Sequence, residues 1–191
     1  MNSNDLYTQY QWTPAFRELS QWSKNLIDEH KAQGLSKITT EKHNIVNRVI
    51  DKDLPSWIKD IFKIPVSHVQ LFSAEPIAIG SIHKDGLDRL CAFNIPVSNT
   101  DMGWTEWLEG PSIEKKISLK HTSIRLLQDR RQANLMTVAA KMLLEQPTLI
   151  NTNEWHRVDN SANHNWRHVL SVRFLNNPSY DLIKEVLNTY L

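Results

Sequence analysis

The chain alternates between two hydrophobic periodicities. Near the N-terminus, Phe16, Leu19, Trp22 and Leu26 recur at spacings of three and four, the signature of a helix with one apolar face. Thr13 followed by Pro14 supplies a cap and a first-turn proline, and Gly34 is a natural stop. Ile45, Val46, Val49 and Ile50 form a second short apolar stripe, and Pro55 opens a further turn or two carrying Trp57, Ile58 and Phe62. Residues 1–64 therefore read as a helical layer. After Pro65 the pattern changes to short β-type runs: Val69 to Phe72, Ile77 to His83, Leu90 to Val97, Thr148 to Asn151 and Val169 to Phe174. Turn-rich stretches such as Lys84-Asp85-Gly86 separate them. Residues 112–144 fit strand or helix equally. Asn177 and Pro178 open a last helix, with Leu182, Ile183, Val186 and Leu187 on one side. The expectation is a mainly β core over residues 65–175 with helices at both chain ends, in one domain spanning 1–191.

Composition narrows the class. Forty per cent apolar and 23% charged residues in 191 positions describe a globular chain. Twenty-two Lys and Arg against 21 Asp and Glu leave a formal charge of +1, so no broad electrostatic pull toward nucleic acid or anionic membrane is expected. Cys91 is the only cysteine, which excludes an internal disulfide and a cysteine-built zinc site. The first residues lack a basic segment followed by an apolar run, and no stretch approaches the length of a membrane span. A soluble, cytoplasmic location is the expectation.

Chemistry concentrates in three places. In His83-Lys84-Asp85, residues two apart share a face of an extended chain, so the imidazole and the carboxylate can meet one metal ion. Alone, that pair is common. His156 stands in a short segment between two β-type runs. Two imidazoles and one carboxylate at three corners of an octahedron form the open facial site of non-haem Fe(II) oxygenases. The third place is Arg167 to Phe174. Alternation puts Arg167, Val169, Ser171 and Arg173 on one face, and His168, Leu170, Val172 and Phe174 on the other, apolar one. An arginine turned inward needs an anion, because an unpaired buried charge costs several kcal/mol. Its planar donors match a carboxylate in two parallel bonds.

His83-x-Asp85, His156 and Arg167, in this order and with these flanking strands, resemble the 2-oxoglutarate/Fe(II)-dependent oxygenases of the double-stranded β-helix, or cupin-like, fold. The wording from Pro147 to Ser161 and from Arg167 to Phe174 is similar to the closing strands of the aspartyl/asparaginyl-hydroxylase-like and proline-hydroxylase-like members. The resemblance covers roughly residues 67 to 175. It implies that His83, Asp85 and His156 hold Fe(II) and that Arg167 binds the distal carboxylate of 2-oxoglutarate. It further implies that dioxygen is used to hydroxylate a C–H bond, with release of succinate and carbon dioxide. The substrate class it implies is an amino acid, a peptide side chain or another small metabolite. Some members carry a serine two residues after the arginine; here Val169 stands there and Ser171 follows two later. Asn94, Ser171 and Arg173 are thus further candidates for the cosubstrate. Trp104, Trp107 and Trp155 lie near strand ends by the proposed site, with Trp104 and Trp155 as candidate substrate contacts. His164, His168 and the arginines Arg125, Arg130 and Arg131 are read as bystanders. A cupin-like metal enzyme without 2-oxoglutarate would need no inward arginine, and a β-helix that binds a ligand without turnover would take up no metal.

Overall fold

The computed structural model describes residues 2–32, 45–50, 54–85, 89–118, 123–127 and 130–191. Gly34 and Gly86 lie outside them, as do the side chains of Arg125, Arg130 and Arg131. Three helices are present, α1 (Pro14–Ala32), α2 (Ser56–Phe62) and α3 (Tyr180–Tyr190). The strands in the N-terminal half are β1 (Tyr7–Gln9), β2 (Ile45–Ile50), β3 (Val66–Ala74), β4 (His83–Asp85), β5 (Cys91–Ser98) and β6 (Trp104–Glu109). Those that follow are β7 (Glu114–Ser118), β8 (Ser123–Leu127), β9 (Thr137–Leu143), β10 (Thr148–Asn151), β11 (His156–Asp159) and β12 (Arg167–Phe174).

Among the described residues the strands form two six-stranded sheets, ordered β1-β10-β5-β12-β3-β2 and β7-β8-β4-β11-β6-β9. From β3 to β6, and again from β9 to β12, consecutive strands pass from one sheet to the other, while β6 to β9 stay in the second; every described pairing is antiparallel. This is the double-stranded β-helix, in which the two inner faces meet across one interior.

The centre of the first sheet is buried on both sides. All eight residues of β12 are buried, as expected of a central strand with a core on each face. Leu170, Val172 and Phe174 face the helices and join Phe16, Leu19, Ile58, Phe62, Phe93, Ile95, Ile183 and Leu187 in the larger core. Phe93 anchors that cluster, its ring centroid 5.0 Å from Phe62, 5.2 Å from Phe16 and 5.6 Å from Tyr10. Thr13 Oγ1 accepts the Phe16 N–H and so caps α1; Ser179 does the same for the Leu182 N–H at α3. The inner faces pack more thinly, through Leu6, Ala92, Trp107, Met142, Leu144, Ile150 and Val169.

The structure corrects several local expectations. Residues 45–50 form the edge strand β2, paired with β3 from Ile45↔Ala74 to Ile50↔Val69. Their spacing of apolar residues suited a helical stripe, but strand pairing decided it. The N-terminal segment also contributes β1 to the same sheet. The run from Ile77 to His83 is not one strand: a turn at Pro76–Ile77, with Ile77 at φ 62°, leaves only a single bridge, Ile79↔Asp159, before β4. Leu182 of α3 is exposed rather than buried. Residues 112–144 resolve into β7, β8, a 3-10 turn at Arg130–Leu135 and β9. No described helix is long and apolar enough to cross a membrane.

Replacing Phe93 by Ala should lower the unfolding free energy by about 3–5 kcal/mol, because the space it leaves is walled by three aromatic rings. Urea denaturation followed by far-UV circular dichroism measures this.

Candidate metal centre and anion site

The second sheet supplies the ligating side chains. His156 opens β11 and pairs with His83 of β4 on one side and Trp107 of β6 on the other, so three rings stand in a row on one face. Asp85, two residues beyond His83, returns to that face. One ligating atom from each of His83, Asp85 and His156 lies within 4.8 Å of the others. The His83 and His156 ring centroids are 4.4 Å apart, and His83 Nε2 is 3.9 Å from Asp85 Oδ1.

Both imidazoles are oriented in the same way. Nδ1 of His83 lies 2.8 Å from the Ser81 carbonyl oxygen and Nδ1 of His156 lies 2.8 Å from that of Glu154, each two residues back. A carbonyl only accepts, so each Nδ1 carries its proton and each Nε2 presents a lone pair. Such partners hold the tautomer of metal-binding histidines. Burial, helped by the neighbouring His83, lowers the pKa of His156 to about 4, which keeps the ring neutral and able to ligate near pH 7. Burial alone would raise the pKa of Asp85. Arg89, followed by Arg173 and the two histidines, more than offsets this and holds it at about 2. Two imidazoles and an ionised carboxylate are a donor set suited to a divalent first-row metal.

The other sheet supplies guanidiniums. The predicted alternation of β12 is observed: Val169 packs between the sheets, while Leu170, Val172 and Phe174 pack beneath the helices. Arg167 and Arg173 are both buried. They stand at opposite ends of the strand, six residues or about 20 Å of backbone apart. Arg173 donates from Nε to Gln70 Oε1 (3.3 Å) and from Nη1 to the Cys91 carbonyl (3.5 Å). It lies close enough to Asp85 and His156 to influence both electrostatically. Arg167 has no carboxylate partner among the described residues, and its buried Nε has no hydrogen-bond acceptor. Burial alone lowers its pKa to about 10, so it remains a cation. Its arm runs past Gly103, where a Cβ would come within 2.6 Å of Arg167 Cδ and 2.7 Å of Asn160 Oδ1. The Asn160 Oδ1 atom is likewise buried without a partner.

Between the two arginines, Ser171 donates its hydroxyl to Asn94 Oδ1 at 2.6 Å across a β12–β5 register pair. These two expected cosubstrate residues therefore bond to each other on the inner face. The tryptophans need correction. Trp155 belongs to a separate cluster with Ile82, Leu108 and Met136, donates to Ser112 Oγ, and lies beneath the Lys84 ammonium. Trp104 shares a face with Glu106, whose buried carboxylate pairs with Lys141 and Arg157, and Lys141 also lies over the Trp104 ring. The two-residue pleat turns both away from the His83–His156 row. Trp107 is the tryptophan that faces inward; it stacks on Tyr7 at 5.4 Å and donates to the Asn151 carbonyl. His168 lies on the other face of β12, next to Ser73 and stacked on Trp166. Arg89, Gln70, Gly103 and Asn160 carried no sequence signal, since none falls at a spacing that local geometry ties to the ligands.

No protein-family model and no curated protein sequence matches the chain. Solved structures do. A Pseudomonas putida prolyl-4-hydroxylase is similar over 90% of this chain and 93% of its own, with a TM-score of 0.50 and 11% identity. AviO1 from Streptomyces viridochromogenes Tue57 is similar over 91% and 92%, with a TM-score of 0.52 and 14% identity. At these identities the likeness is one of fold. The double-stranded β-helix implied by the family resemblance is therefore observed over nearly the whole chain, and the His-Asp-His cluster lies within it.

Proposed function

We propose that the protein is an Fe(II)- and 2-oxoglutarate-dependent dioxygenase that hydroxylates a C–H bond of an amino acid, a peptide side chain or a small metabolite. The observation that carries this reading is Arg167, a buried cation without a protein anion, in the same fold as an open cluster of two imidazoles and a carboxylate. A metal enzyme that takes no oxo-acid has no use for such a group.

His83, Asp85 and His156 would hold Fe(II), and Arg167 would receive the distal carboxylate of 2-oxoglutarate in a two-bond fork. When bound, iron and 2-oxoglutarate supply the oxidising chemistry, with dioxygen consumed and the oxo-acid released as succinate and carbon dioxide. The protein's own residues orient and insulate. Gly103 leaves room for the Arg167 arm. Ala92, Ile150, Val169 and Trp107 keep the space between the sheets apolar, which strengthens each charge contact made there. The neutral His156 and the ionised Asp85 need no proton loss before they ligate. The hydroxylase-type fold of the prolyl-4-hydroxylase neighbour supports the reaction class, and the charge of +1 favours a small or peptide substrate over nucleic acid.

The direct test is succinate release with Fe(II), 2-oxoglutarate and dioxygen, across a panel of free amino acids and peptides. Substrate-dependent succinate is expected, and its absence together with no uncoupled turnover would refute the reading. Arg167→Met should raise the 2-oxoglutarate concentration for half-maximal rate roughly 10- to 150-fold, the loss of a charge-assisted pair of about 1.5–3 kcal/mol, with metal binding retained. His83→Ala should abolish succinate formation. That side chain is three-quarters buried against His156, so its removal should cost about 1 kcal/mol of unfolding free energy and leave the chain folded, which circular dichroism checks.

A further inference from the structure

Asp85 is the last residue of β4, and the pleat aims its side chain toward the face of His83. Its carboxylate is fixed from elsewhere. Arg89, buried and four residues on, donates from Nη1 to Asp85 Oδ1 at 3.2 Å. The same oxygen is the one 3.9 Å from His83 Nε2. The guanidinium and the imidazole therefore address one atom, and Arg89 is hydrogen-bonded to it. From its other terminal nitrogen Arg89 donates to Gln70 Oε1 at 2.8 Å, and Gln70 Oε1 also receives Nε of Arg173 at 3.3 Å. Arg173 is held in turn by the Cys91 carbonyl.

The backbone at this point is fixed as well. Thr152 accepts the Asp85 N–H through its carbonyl (2.9 Å) and gives its hydroxyl to the Arg89 carbonyl (2.9 Å) and its N–H to the Leu90 carbonyl (3.2 Å). Thr152 itself follows β10 of the first sheet. A continuous path of side chains thus runs from the ligand Asp85 on one sheet, through Arg89 and Gln70, to Arg173 on the other.

We propose that Arg89 is the positioning residue of the metal centre: braced by Gln70, it holds the Asp85 carboxylate at the place where the two imidazoles converge. The inference rests on the metal-binding reading of His83, Asp85 and His156. It goes beyond charge compensation, because a buried carboxylate needs only a nearby cation. Positioning needs the planar fork that reaches Asp85 and Gln70 together, and lysine offers one point of attachment in its place.

The test is anaerobic titration of the full chain with Mn(II), with Co(II) visible absorption as a report on ligand geometry and circular dichroism as a check on folding. Arg89→Met should weaken Mn(II) binding 10- to 100-fold, the usual effect of losing a residue that orients a ligand, and should alter the Co(II) spectrum. Arg89→Lys should recover only part of the affinity. Gln70→Leu touches no ligand yet should weaken Mn(II) binding several-fold, and it decides the matter if Arg89→Met does not fold. Native affinity in Gln70→Leu together with full recovery in Arg89→Lys would overturn positioning and leave the metal centre standing. Failure of the unsubstituted protein to bind Mn(II) would instead remove the metal centre and this inference with it.

Discussion

Buried positive charge is the constraint around which this interior is organised. Among the described residues, Arg89, Arg167 and Arg173 are buried, and the buried carboxylates are Asp85 and Glu106. Glu106 is already matched by Lys141 and Arg157 on the far side of its sheet. Three guanidiniums are left to share Asp85. Desolvation makes that imbalance costly, and a protein retains it only where something else restores the charge. Arg89 takes the carboxylate, Arg173 settles for neutral acceptors, and Arg167 is left with none. The shortage of anions and the position of the shortage both follow from which residues β12 turns inward.

The two sheets divide the work. One presents His83, Asp85 and His156 from adjacent strands, where register pairing fixes the separation of the rings. The other presents arginines from its most buried strand, backed by the aromatic core around Phe93. Rigidity behind β12 matters here, since a cation held to accept a carboxylate must not relax toward solvent. Among the described residues α1, α2 and α3 pack against β5, β3 and β10 of this sheet, and the apolar face of α1 is the one that meets β5. Ala92, Trp107, Ile150 and Val169 form an apolar cluster between the sheets, and the absence of a Cβ at Gly103 makes room for the Arg167 arm.

Much of the site was legible because a strand has a period of two. His83 and Asp85 share a face for that reason, and so do Arg167 and Arg173, while Leu170, Val172 and Phe174 fall on the other side. The same rule, applied to the tryptophans, should have turned Trp155 away from His156; nearness in sequence was the wrong guide there. Ile45 to Ile50 suited either period, and Ile77 to His83 had β-type residues without a partner strand along its length.

Periodicity and residue chemistry by themselves thus determined a β core between terminal helices, the shared face of His83 and Asp85 and the common face of Arg167 and Arg173, because each depends on local alternation. The double-stranded β-helix and the choice of His83, Asp85, His156 and Arg167 as one set came from the family resemblance. Only the tertiary structure decided that Arg167 is unpartnered while Arg173 is engaged, that Arg89 and Gln70 brace Asp85, and that Trp107 rather than Trp155 faces inward. Those outcomes depend on contacts between strands far apart in the chain, where spacing along the backbone carries no information about distance.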